Sequence, residues 1–372
     1  MSRQSELAEL SRVYDTSALS NRNLVINGAM NVAQRGTSAT SSGYSTVDRF
    51  VCTFSGHDEA PTIAQHTLTS SDTEVYEKGF RNSFHITNGN QTSGAGSADR
   101  VFIQHRIEAQ DIAKSGWDYT SSSSNITLSF YCKSSVAQNF YGRLETKDGT
   151  QQNYAFETGS LAADTWTKIT KTISGNSNIS IDDNNDIGLT IEIIMFRGTD
   201  TTDSSVSLNA WNTYSSSART PDSTSTWYTT DNATFEITGV QLEVGDTATP
   251  FEHRSYGDEL MRCFRYFIRR NSPQDGYPAL IAGFHSTSGY FNGVTQFEVE
   301  MRATPSLTTS GAFRGQGFAD SSSATGTCTI QNASSESCRL NCSGMSFSGT
   351  NGQYVHLQQT GGAGHVSFDA EL

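Results

Sequence analysis

Proline is scarce in this chain, with 6 in 372 residues, so its turns fall to Gly, Asn, Asp and Ser. Basic charge is also short: 25 Lys and Arg stand against 38 Asp and Glu, a formal net charge of −13. That balance argues against nucleic acid as a partner, because neutralising phosphates needs grouped cations. No apolar run has bilayer-spanning length and no leader-like opening is present, so neither membrane insertion nor signal-directed secretion is expected. The strong helix formers Lys, Glu, Leu and Ala are sparse, which disfavours a helical fold. No Gly-x-Ser-x-Gly elbow, phosphate loop or dinucleotide fingerprint occurs. Among Cys52, Cys132, Cys263, Cys328, Cys338 and Cys342 there is no CxxC pair, and no histidine cluster accompanies them, so no metal site is expected.

What is present points to β-structure. Hydrophobic residues make up 35%, yet aromatics reach 10%, a pairing that excludes disorder and fits thin sandwich cores built on Phe and Tyr. Period-two burial marks strands at 43–54, 83–87, 100–107, 125–132, 140–144, 165–173, 187–196 and 233–242. An apolar strand closed by an Asn-Gly turn is expected at 23–28. No helical stretch separates these runs, so a parallel βαβ sheet is excluded. The rhythm breaks at 257–270, where a helical turn capped by Asp258 is expected to run on into a strand. Further strands are expected at 278–284, 294–300 and 353–357. The length suits two domains: a sandwich or jelly roll, then, past a boundary placed at 257–270, a smaller C-terminal β-sandwich. Before them, residues 5–14 form a short amphipathic helix candidate. Leu7, Leu10, Val13 and Tyr14 share its face, which wants a partner surface.

Candidate chemistry is thin. Asp182, Asn184 and Asp186 alternate oxygens as a calcium loop does, but the closing Glu is missing and a solvated turn is expected instead. Glycosidase chemistry needs two facing carboxylates, and Glu145, Glu157 and Glu192 are the candidates. His57 and His66, the closest histidine pair, lack a carboxylate arrangement. The aromatics Trp211, Tyr214, Trp227 and Tyr228 lie in Ser/Thr-rich surroundings, and Tyr290, Phe291 and Tyr354 pose the same choice. Their rings either stack on sugar faces, or plug sandwich ends and line subunit interfaces. Cys52 and Cys132 sit in apolar runs as buried thiols, while Cys338 and Cys342 are spaced to bridge only across a turn. Reduced thiols are expected throughout.

Five stretches, in three groups along the chain, carry a resemblance. NRNLVINGAMNVAQRGT over 21–37, followed by GYSTVDRF over 43–50, resembles the opening of phage tail-fibre and virion structural proteins, those of cyanophages especially. ITGVQLEVGDTATPFEHR over 237–254 is similar to the last strand and exit of the same domain. ELMRCFRYF over 259–267 and MRATPSL over 301–307 resemble the fibre-tip domain that follows it. The resemblance implies a carbohydrate-binding-module-like jelly roll over 21–254, then a C-terminal β domain over 255–372 that assembles as a homotrimer. The function so implied is host-surface attachment by a virion appendage built in the bacterial cytoplasm, where thiols stay reduced. Its partners would be other phage tail or capsid proteins and host glycans, with no cofactor beyond a structural calcium that the resemblance leaves open away from residues 182–186. The alternatives are a non-adhesive tail adaptor or capsid decoration, and a polysaccharide depolymerase. The motif residues also have architectural readings: Gly28 and Gly36 for positive φ, Asp48 and Arg49 to pin the opening segment, and Pro250 to end sheet pairing.

Overall fold

The computed structural model describes residues 21–271, 279–286, 289–317, 321–324, 328–344 and 351–372. The helix expected over 5–14, with Leu7, Leu10, Val13 and Tyr14, lies outside them. The chain divides into two compact units between Glu259 and Leu260.

The first unit is a jelly-roll sandwich of two six-stranded sheets. One sheet runs β1 (Ser38–Ala39), β3 (Thr62–Thr67), β4 (Asn82–Thr87), β12 (Thr234–Val244), β6 (Asn125–Ser134), β9 (Thr167–Ser174). The other runs β11 (Trp211–Thr213), β8 (Gln152–Ser160), β7 (Asn139–Thr146), β10 (Ile187–Arg197), β5 (Arg100–Glu108), β2 (Phe50–Ser55). Pairing within both sheets is antiparallel, and the chain passes repeatedly from one sheet to the other. Alternate side chains point inward: Phe84, Phe130 and Phe235 from the first sheet meet Phe50, Phe140 and Phe156 from the second. The Phe140 and Phe235 rings pack edge to face at 5.0 Å, tying the layers together. Each such pair adds about 0.5–1.5 kcal/mol beyond the area it buries.

The opening motif is not a strand. Residues 23–28 run beside β12 with one backbone bond at each end, Leu24 N–H to the Leu242 carbonyl and Val240 N–H to the Gly28 carbonyl at 2.9 Å each, and side chains hold the rest. Asn27 adopts φ 61°, a left-handed conformation that Asn tolerates. Its amide donates to the carbonyls of Val32 and Asp48, both at 2.9 Å, and its Oδ1 accepts from the Val32 N–H. Gly28 does not supply the positive φ expected of it. It is glycine because a Cβ there would lie 2.1 Å from the Val240 carbonyl oxygen. Gly36 does adopt positive φ, at 138°. The strand expected from 43 begins only at Phe50, since Arg49 takes φ 69° and the chain turns before it. Asp48 pins the opening segment through the Gln34 N–H at 2.9 Å. Arg49 instead donates to the Arg106 carbonyl at 2.7 Å.

Short helices α1 (Thr73–Tyr76), α2 (Ala109–Ala113) and α3 (Thr226–Thr229) connect strands, and α4 (Tyr256–Phe264) follows the sandwich. Ser255, not Asp258, caps α4. Its hydroxyl oxygen accepts the Asp258 N–H at 3.1 Å and donates to the Asp258 carboxylate at 2.7 Å. The cap moves because the helix starts earlier, placing Asp258 inside the first turn where its charge favours the helix dipole.

The second unit is one antiparallel sheet path: β17 (Ser321–Ala324), β16 (Ser306–Gly317), β20 (Tyr354–Asp369), β14 (Ala279–Ser286), β15 (Tyr290–Gln296), β19 (Ser337–Cys342), β18 (Cys328–Gln331). Strand β13 (Phe267–Asn271) also pairs with β20. Phe291, Leu340, Leu357, Val366 and Phe368 form its core. The strand expected over 294–300 ends at Gln296; the Phe297 N–H adds one more bond in the same register, to the Glu336 carbonyl at 2.9 Å, and its ring packs on Phe368 at 5.1 Å. The expectation of reduced thiols fails at one pair. Cys328 and Cys342 stand opposite each other in β18 and β19 and form a disulfide, brought together by hairpin register rather than by spacing. Cys338 stays a buried thiol, as do Cys52, Cys132 and Cys263. Burial pushes Cys132 up to about 12 and Cys338 up to about 11.

Candidate functional site

Aromatic side chains were the main sequence candidates, and the structure separates them. Trp227 and Tyr228 are wholly buried, so of the two alternatives they plug the sandwich and are not open to a sugar. Helix α3 turns both inward. The Trp227 indole N–H donates to the Thr234 carbonyl at 3.0 Å, and Tyr228 stacks on Phe196 at 4.5 Å. Trp211 is half-buried on β11: its indole donates to the Ser174 carbonyl at 2.7 Å and its ring lies 5.3 Å from Tyr154. Tyr214 has Arg143, Arg219 and Lys147 around its ring at 5.7–5.9 Å, a cation–π setting.

The three candidate carboxylates do not form a hydrolytic pair. Arg143 and Glu192 are opposite partners on β7 and β10. The Arg143 guanidinium lies 2.7 Å from Glu145 and 3.1 Å from Glu192, and Arg197 meets Glu192 at 2.6 Å. Burial alone would raise Glu192, but the two guanidinium groups hold its carboxyl well below the usual carboxylate range. A general acid needs the opposite shift. Glu157 stands apart, accepting from the Asn139 amide at 3.0 Å.

The acidic turn serves the fold. The carbonyls of Asp186 and Asn184 accept the Ala109 and Gln110 N–H groups at 2.8 Å each, closing the start of α2, and Lys114 pairs with Asp183 at 2.7 Å. A different group was invisible in the sequence: His66, His85 and Glu236 converge on the outer face of the first sheet. The pairing of β3 with β4 and of β4 with β12 brings them together from distant positions.

Tyr290 and Tyr354 belong to an open surface. On β14, β15 and β20 alternate residues face outward, so Phe284, Tyr290, Asn292, Val294, Tyr354 and His356 share one face. Phe291, in contrast, points into the core. Phe284 lies opposite Tyr354 on one side and Asn292 on the other. The Phe284 and Tyr354 rings stand nearly perpendicular at 6.4 Å, and Tyr354 packs against the His356 ring at 4.8 Å. Exposure is 57% for Phe284, 52% for Tyr354 and 69% for Val294. Six large apolar side chains are exposed among the described residues, and four of them sit here, so the face is a patch rather than scatter.

No family model matches the chain, and no curated protein matches it. Solved structures do resemble it. One is the enzymatically active domain of tailspike protein 4 of bacteriophage CBA120, at 9% identity and a TM-score of 0.31, covering 60% of this chain. This chain spans only 21% of that protein. Another is the N-terminal cellulose-binding domain of Cellulomonas fimi β-1,4-glucanase C, at 9% identity and a TM-score of 0.28, covering 59% of this chain and 99% of that one. A third is the family 11 carbohydrate-binding module of a Clostridium thermocellum cellulase, at 10% identity and a TM-score of 0.26, covering 59% and 98%. At these scores the likeness assigns neither ligand nor activity.

Proposed function

We propose that this chain is a structural protein of a phage particle, a homotrimeric tail fibre without catalytic activity that attaches to host-surface glycans. The observation that carries the adhesive part is the exposed face around Phe284 and Tyr354. Flat rings stack on the apolar faces of sugars, and Asn292, Asn341 and His356 on or beside the patch offer hydrogen bonds to hydroxyls. The Asn341 amide already donates to Asn292 at 2.8 Å, which holds both side chains in place. Three copies on one fibre would turn weak single contacts into useful avidity. The order of motifs at 21–37, 237–254 and 259–267 supports placement in the virion, with residues 1–20 docking on another tail or capsid protein.

Two measurements test this reading. Light scattering should give about three times the chain mass of 40.4 kDa. Labelled protein should bind host cells, and the double variant Phe284→Ser, Tyr354→Ser should lose that binding while keeping its mass. Unchanged cell binding by a trimeric double variant would defeat the assignment of the face. A monomer that binds no cells would favour the adaptor or decoration reading.

A further inference from the structure

The outer face of the first sheet carries a group that the attachment role does not use. Glu236 on β12 lies opposite His85 on β4, and His66 on β3 lies opposite Ser83, two residues along β4 from His85. All three side chains therefore stand on one face of the sheet, with His66 one row along from His85 and Glu236. His66 Nδ1 is 3.2 Å from one Glu236 oxygen and His85 Nδ1 is 3.6 Å from the other. The candidate ligand atoms all lie within 4.8 Å of one another.

These separations suit a transition ion. Zinc bound tetrahedrally at about 2.0–2.1 Å spaces its nitrogen and oxygen donors roughly 3.3 Å apart. The remaining edge closes if the His66 ring turns, and its side chain is 49% exposed and free to do so. The surroundings also match. His85 Nδ1 is buried and faces Glu236 at 3.6 Å, while its Nε2 meets the Thr87 hydroxyl at 3.0 Å, which sets the ring. The Ser83 hydroxyl donates to Glu236 at 2.7 Å. Outer hydrogen bonds of this kind orient metal-binding imidazoles and carboxylates.

Lys133 is the group that opposes an ion, with its ammonium 2.9 Å from Glu236. It also has a second anion, Asp72, at 3.1 Å, and Asp72 is held by the Trp166 indole N–H at 3.0 Å. An arriving dication can take Glu236 and leave Lys133 to Asp72. We propose that His66, His85 and Glu236 bind one divalent ion of the zinc class, with a fourth position open to water on the His66 side.

Equilibrium dialysis of the full chain against Zn2+ alone tests this. Wild type should hold one ion per chain, and Co2+ in its place should show tetrahedral visible bands without a thiolate signal. His66→Ala changes an exposed side chain and should fold normally, yet bind at least about tenfold more weakly. Lys133→Met should bind more tightly than wild type. Zn2+ should raise the melting temperature of wild type and leave that of His66→Ala unmoved. Absence of a bound ion in wild type, or equal binding by His66→Ala, would overturn the proposal and leave an ion-pair network only.

Discussion

The two units present outward-facing sheet positions in opposite ways. In the first unit, outward residues on β7 and β10 are charged and buried: Arg143, Glu145 and Glu192 satisfy one another, with Arg197 closing the group. In the second unit, outward residues on β14, β15 and β20 include bare rings. The same period-two strand thus makes either an internally closed surface or an open apolar one. Which of them results depends on what the loops cover. A buried ion network binds its own partners and has little left for a ligand, whereas an exposed aromatic face has its contacts still to make.

The largest effect that would sharpen this contrast is Trp227→Ala. Removing a wholly buried indole should cost roughly 3–5 kcal/mol in denaturant unfolding of the first unit, and a loss below about 1 kcal/mol would mean the ring is not a core element. Next is reduction of the Cys328–Cys342 disulfide, which spans 14 residues. Losing it should destabilise the second unit by about 3 kcal/mol, read as a lower melting temperature in reductant with the first unit unchanged. Acid should act on the first unit through Glu192. Its folded carboxyl titrates below the ordinary 4.5, so it contributes stability above that pH. As pH falls below about 4.5 the unfolded chain gains the proton first, and stability is lost progressively. A melting temperature flat from pH 5 down to about pH 3 would contradict this. The smallest effect belongs to Phe284→Ser alone, expected within about 0.5 kcal/mol of wild type. A large loss there would show that the face is structural, and so break the comparison.

The strands at β4, β5, β6, β9, β10 and β12 were legible because long alternating or continuous apolar runs have few other fates. Strand β3 was missed because only Ile63 along it is fully buried, and β8 because it buries Gln152 and Asn153 among its apolar residues. Most of β20 was missed because Gly361, Gly362 and Gly364 read as loop, though the strand runs through them. Burial of Trp227 and Tyr228 could not be read from Ser/Thr neighbours, since a four-residue helix decides where they point. The group at Glu236 was illegible for a different reason: register between distant strands assembles it, and no local pattern records register. Tyr290 and Tyr354, by contrast, were named from the sequence and lie on the exposed face, while Phe284 and Val294 beside them were not named.

The opening and closing segments of the jelly roll are tied to each other. Arg22 donates to the Pro250 carbonyl at 2.6 Å, the Asn23 N–H donates to Glu252 at 2.9 Å, and Arg254 donates to the carbonyls of Val25, at 3.2 Å, and Asn23. The chain therefore enters and leaves the sandwich at one point. Tension along the polypeptide would meet that small cluster of arginine and glutamate bonds first, with the bonds from Asn23 and Leu24 to Val240 and Leu242 of β12 behind it.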